Sequence, residues 1–249
     1  MNSTHTHPAT SWHPNQAAPE DLHDAFQQAH SGVQWLARMV NSFSLPASDG
    51  SHLHMHWDET RPVIETPPIA EATTVEMRLP DMVLQFVERD TPTDHPVELD
   101  DNSPAQIEAW TLIELLHRGI DRDAYSKNLP YDVSHLMTGD AHDYQTFGKE
   151  EAFQDMAGWL VLAGELLKEA IQGSSISNLE GALDVRFAPE DFSLFVRAHV
   201  ESSRPPMASY VEIGFCGGTD ADSGPYFYTR LARNGKDQRL SVDEICVAF

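Results

Sequence analysis

The segment His52-Leu53-His54-Met55-His56-Trp57 alternates imidazoles with apolar side chains. On a β-strand this alternation puts three imidazoles on one face and Leu53, Met55 and Trp57 on the other. Imidazoles two residues apart on a strand can share a divalent metal, at about 2.0–2.1 Å if the metal is zinc. A complete site needs a third or fourth ligand and groups that orient the ligands. An irregular segment further along the chain offers Asp132, His135, Asp140, His142 and Asp143. His54, His56, Asp132, His135 and His142 are therefore the candidate metal ligands, and a divalent metal is the cofactor they would take. The plainer reading is a hydrogen-bonded imidazole face on a half-buried strand. It is preferred, because 13 histidines in an acidic chain cluster freely, and neither a His-Glu-x-x-His motif nor a cysteine-rich zinc spacing is present.

A second group lies near the C-terminus. Tyr226-Phe227-Tyr228 places two tyrosines on one face of a strand. With Glu212 they are the candidate ligand-binding residues, lining an apolar pocket in which two hydroxyls orient a small molecule; ordinary sheet packing is the alternative. Other motifs fail on content. Asp220-Ala221-Asp222-Ser223-Gly224 departs from a calcium loop, since Pro225 follows and the twelfth position is Leu231. Cys216-Gly217-Gly218 has no neighbouring His or Asp to activate a thiol and reads as a turn. There is no phosphate-cradling glycine loop and no Gly-x-Ser-x-Gly elbow. No catalytic residue can be named, and whether the chain is an enzyme stays open.

The elements that would position these groups are legible as periods. Pro19-Glu20-Asp21 opens a helix, with proline tolerated in the first turn and acids favoured at its positive end. Leu22, Phe26, Ala29, Val33, Leu36, Ala37 and Val40 recur at helical spacing until Ser44 to Gly50 interrupts them. Strand patterns follow at 75–79, 82–87 and 97–99. Ser103-Pro104 opens a second helix ending near Gly119, and residues 121–148 are irregular. A third helix is predicted over 149–172. Strands follow at 183–187, 192–200, 210–215 and 226–233, and Asn234-Gly235 signals a hairpin back to 238–242.

Val75-Glu76-Met77-Arg78-Leu79 echoes Val211-Glu212-Ile213-Gly214-Phe215. The echo points to a duplication in which halves 19–100 and 149–249 are joined by 101–148. Residues 1–18, rich in Ser, Thr, His, Pro and Asn, read as a mobile tail before a single domain over 19–249. The expected fold is α+β: antiparallel sheet, in one or two related pieces, covered by three main helices.

Composition narrows the partners. The 249 residues carry 16 basic and 39 acidic side chains, a net −23, with only four lysines. That charge repels phosphate backbones and anionic lipid, so neither nucleic acid nor a membrane is expected. The helix candidate richest in apolar residues also carries Gln154, Asp155, Glu165, Lys168 and Glu169, which argues against a membrane span. Two cysteines, too few for a disulfide framework, and no basic or apolar leader read as cytoplasmic.

Val185-Arg186-Phe187, then Pro189-Glu190-Asp191-Phe192-Ser193-Leu194, then Tyr210-Val211-Glu212-Ile213-Gly214-Phe215 and Pro225-Tyr226-Phe227-Tyr228 form a familiar series. It resembles a family of uncharacterised bacterial proteins, a domain of unknown function. Members similarly carry an early amphipathic helix, a strand histidine, a Tyr-Asp segment and a Gly-Phe turn leading to Phe-Tyr. Here these correspond to residues 20–43, His54 or His56, Tyr131-Asp132 with His142 and Tyr144, and the C-terminal strands. The chain departs from the family at Glu190-Asp191-Phe192-Ser193, where members show His-His-Phe-Asp, and at Cys216, where they show Trp or Ser. The resemblance implies an α+β fold and a cytoplasmic bacterial setting, and supplies no activity.

Three functions follow as expectations: binding of a small molecule or partner, a metal-dependent hydrolase using the His cluster, or a structural domain that self-associates. The charge carries its own prediction. Self-repulsion at −23 is screened more completely in about 1 M salt than in about 10 mM. The melting temperature should therefore rise across that range; a flat profile contradicts the charge argument.

Overall fold

A computed structural model describes residues 17–136, 143–172, 184–200, 209–218, 224–233 and 236–240. The expectations placed on 1–16, on Asp140 and His142, on the turn at 219–223, on Asn234-Gly235 and on Cys246 lie outside the described residues. The three helices are α1 (Pro19–Phe43), α2 (Pro104–His117) and α3 (Glu150–Gln172). The eleven strands are β1 (Met55–Asp58), β2 (Val63–Glu65), β3 (Thr73–Arg78), β4 (Val83–Glu88), β5 (Thr91–Pro92), β6 (Val97–Glu98), β7 (Arg186–Ala188), β8 (Ser193–Val200), β9 (Ser209–Cys216), β10 (Tyr226–Arg233) and β11 (Lys236–Leu240).

All eleven strands form one antiparallel sheet, ordered β11-β10-β9-β8-β7-β1-β2-β3-β4-β5, with β6 also on β4. The fold is therefore the expected α+β arrangement with three helices. Its two halves repeat one order, a long helix followed by strands, and they meet where β1 pairs β7 through Met55↔Phe187 and His56↔Arg186. Pairing of Arg233 with Lys236 leaves two residues, 234 and 235, to connect β10 to β11.

Strand alternation divides the sheet into two faces. Met55, Trp57, Ile64, Val75, Met77, Leu84, Phe86, Phe187, Leu194, Val196 and Phe215 are buried with α1 and α3 in the core. Two glycines allow close approach. A Cβ at Gly32 of α1 would meet Leu99 and Met77 at 2.9 Å, and one at Gly164 of α3 would meet the Trp57 indole at 3.2 Å. Helix α2 starts with a capping box, in which Ser103 and Gln106 satisfy each other's backbone N–H, and Gly119 ends it in a left-handed conformation. Its Trp110 ring sits 5.5 Å from Phe86. Among the described residues no helix is long and apolar enough to cross a membrane.

Two local expectations are corrected. Residues 51–53 form a short 3₁₀ turn after Gly50, itself left-handed, so His52 never enters the strand. Its Nδ1 instead accepts from the Ala47 N–H at 3.2 Å. Helix α1 has the apolar spacing of a surface helix, yet Gln28, His30, Ser31, Gln34 and Arg38 are also buried. The irregular segment beyond α2 lies over its polar side. Gln28 exchanges hydrogen bonds with the backbone of Gln145, Trp35 donates to the Tyr144 hydroxyl, and Tyr131 donates to Gln34.

His30 stands beneath the β7–β8 turn. Its Nε2 lies 3.1 Å from the Pro189 carbonyl, to which Gln34 also donates. A carbonyl only accepts, so Nε2 carries the proton, and Nδ1 is buried with no partner among the described residues. The turn holds Phe192 at φ +52°, and the ring's packing against Phe187 (5.0 Å) and Phe26 (6.0 Å) stabilises that backbone. Burial pushes the His30 imidazole down to about 4, against an opposing pull from the Pro189 carbonyl. Between about pH 6.5 and 4 the unfolded chain binds a proton that the folded chain excludes, so stability is lost as pH falls through that window. Over it the wild type should lose roughly 3 kcal/mol more than His30→Gln, read from urea unfolding at each pH. Parallel profiles for the two proteins contradict the assignment.

Candidate functional site

The face of the sheet turned away from α1 and α3 is charged. Alternation along β9 brings Tyr210, Glu212, Gly214 and Cys216 to it. The register Arg197↔Glu212↔Arg230 adds an arginine from the strand on each side. The next rows add Phe195 and Tyr228 beside Gly214, then Ser193 and Tyr226 beside Cys216.

Glu212 is only 1% exposed although, among the described residues, no helix lies over it. Its carboxylate is enclosed by the groups that neutralise it. Arg197 donates from Nε (3.1 Å) and Nη2 (2.8 Å) to Oε2, and Arg230 Nη1 lies 3.4 Å from Oε1. The Tyr228 hydroxyl donates toward Oε1 at 3.3 Å and lies 3.4 Å from Ser193 Oγ. Ser193 donates to Asp191 at 2.5 Å. Burial, and next the Glu212 charge, push the Tyr228 phenol far above its ordinary range, so it acts as a donor. The Tyr228 ring lies flat on Gly214, where a Cβ would come within 2.2 Å of it.

Arginine and aromatic groups stack around this carboxylate. The Arg197 guanidinium sits 4.1 Å above the Tyr210 ring and 5.4 Å from Phe195, and His54 packs edge-on against Phe195 at 4.8 Å. Burial and then the Arg197 charge push the His54 imidazole down to about 4, so it is neutral. The cleft between His54, Ser193, Arg197, Glu212, Tyr228 and Arg230 measures about 10 Å³, room for one water.

The first half repeats the device. Glu76, at the same place in the sequence echo, is 2% exposed on this same face. Arg61 Nη1 donates to its Oε2 at 3.2 Å, and Arg78 Nη1 lies 3.7 Å from Oε1 while bonding Gln85. The register here is Glu65↔Glu76↔Gln85, so the supporting arginines come from the β1–β2 turn and from β3 itself.

Of the ligand-binding residues expected from sequence, Glu212 and Tyr228 meet directly, and Tyr226 lies on the same face one row away and is 36% exposed. The expected metal ligands are apart. His54 is against Phe195, His56 Nδ1 is 3.5 Å from Asp184, His135 stacks at 5.9 Å on His30, and Asp132 accepts from the Ser134 N–H in its own turn. His142 lies outside the described residues. Cys216 is buried, and its thiol donates to the Asp191 carbonyl at 3.2 Å.

A different donor cluster forms at the far end of the sheet, over β4. Glu114 and His117, one helical turn apart on α2, meet His95 from the segment between β5 and β6. Glu114 Oε1 lies 3.2 Å from His117 Nδ1 and 3.5 Å from His95 Nδ1. Glu114 Oε2 accepts from Arg118 Nη1 at 2.7 Å, and that guanidinium sits 4.2 Å over Phe86 with its Nε 2.9 Å from a Glu88 oxygen. Trp110 anchors the loop by donating to the His95 carbonyl at 3.1 Å. Glu114 is buried and both histidines are exposed. The Glu-x-x-His spacing of 114–117 was available in the sequence. The approach of His95, 19 residues before Glu114, was not, because it depends on the β5–β6 path folding back onto α2.

Compared with known proteins, the chain matches no family model, and no curated protein and no solved structure is significantly similar to it.

Proposed function

We propose that this chain is a binding protein and that the face of β8, β9 and β10 turned away from α1 and α3 receives a partner protein. The observation that carries this reading is the array around Glu212: Arg197 and Arg230, each about a fifth exposed, laid over the buried Phe195 and Tyr228 and beside Tyr210, with Tyr226 36% exposed on the same face, over which no helix lies among the described residues. Arginine and aromatic side chains already held in place are what the centre of a protein interface uses, because little conformational freedom is lost on binding. The cleft's volume of about 10 Å³ favours a surface over an enclosed ligand pocket, which spans about 300–1,000 Å³. The net −23 steers a basic partner toward the chain and disfavours nucleic acid.

Arg186 lies on the same face, half exposed and paired with Asp184. A photo-crosslinking residue there should give one discrete protein adduct in cell extract, identified by mass spectrometry. The adduct should weaken several-fold in salt of about 0.5 M and disappear in Arg197→Ala. The same group at Glu169, exposed on α3, serves as the comparison. Equal adducts from both positions, or an adduct indifferent to Arg197→Ala, contradict the proposal.

A further inference from the structure

Two imidazoles aim the same ring nitrogen at one buried carboxylate oxygen, and a hydrogen bond accounts for His117 but not for His95. At 3.5 Å the His95 contact is longer than a sound N–H···O bond, and at 3.2 Å the His117 contact is at the limit. The same separations fit donors sharing an ion. Ligands at about 2.0–2.1 Å in a tetrahedron stand about 3.3 Å from one another, between the two measured Nδ1–Oε1 distances. The three donor atoms all lie within 4.8 Å of one another.

We propose that His95 Nδ1, Glu114 Oε1 and His117 Nδ1 form a divalent-metal site, with zinc as the ion that the two-imidazole, one-carboxylate set suits best. The groups behind the ligands support it. Arg118 occupies the second oxygen of Glu114, which leaves Oε1 turned toward the imidazoles, and Glu88 offsets the guanidinium charge. The Trp110 indole fixes the backbone of His95. His95 and His117 are about 64% and 53% exposed in their side chains, so the far side of the ion opens to solvent and its remaining position falls to water. This site is separate from the Glu212 array and stands or falls independently of it.

Cobalt(II) is the probe, because a four- or five-coordinate cobalt centre absorbs in the visible. Untagged, metal-stripped protein is titrated with Co²⁺, and zinc is then added. The expected result is a visible band that saturates at one equivalent and is abolished by one equivalent of Zn²⁺. His95→Ala and His117→Ala should each weaken binding about ten-fold or more while retaining the wild-type melting temperature without metal. The chain also carries His5, His7 and His13, so a variant with all three replaced by alanine should keep the band. Absence of the band, its persistence in His95→Ala and His117→Ala, or its loss in the His5/His7/His13 variant each overturns the proposal.

Discussion

A carboxylate buried in the middle of a sheet face has to be neutralised where it stands, and the open face of this protein is organised around that requirement. Among the described residues Glu212 has no helix above it, yet it is almost fully withdrawn from water. An isolated buried carboxylate is too costly to persist in a folded chain. Arg197 from one neighbouring strand and Arg230 from the other satisfy it, and Tyr228 adds a neutral donor. Once those arginines are fixed, the aromatic rings stack on them, and Gly214 is left as the only residue type that fits under Tyr228. The face is therefore rigid because its charges are satisfied, and the two arginines keep about a fifth of their side-chain surface open to solvent.

The recurrence of a buried glutamate at Glu76 extends the same constraint to the other half. The two halves solve it with different arginines. In one, the adjacent strands supply Arg197 and Arg230. In the other, those register positions hold Glu65 and Gln85, and Arg61 reaches in from a turn. What the halves share is the carboxylate and the strand that carries it. The short β1–β7 pairing then turns two such units into one sheet, with α1 and α3 side by side on the opposite face.

Much of this was legible in the residues. Proline and two acids at 19–21 open α1, Ser103 and Gln106 cap α2, and the alternation from 183 onward marks the strands. The first failure is local, and the other two depend on contacts distant in sequence. The imidazole alternation at 52–56 has strand period, but the left-handed Gly50 and the contact of His52 with Ala47 turn its first residues into a 3₁₀ turn. Helix α1 reads as amphipathic because no local signal says that residues near 131 and 145 will cover its polar side. The meeting of His95 with Glu114 and His117 is likewise a product of topology, with only the helical pair written in the spacing.

The coupling between Arg197 and Glu212 tests the central claim most directly. A double-mutant cycle would compare urea unfolding of the wild type, Arg197→Met, Glu212→Gln and the double variant. If the buried carboxylate organises the face, the two changes are strongly non-additive, with a coupling of about 1–3 kcal/mol and the double variant less destabilised than the sum of the singles. Additivity within about 0.5 kcal/mol would mean that the pair contributes nothing beyond its separate parts, and the account of this face would be wrong.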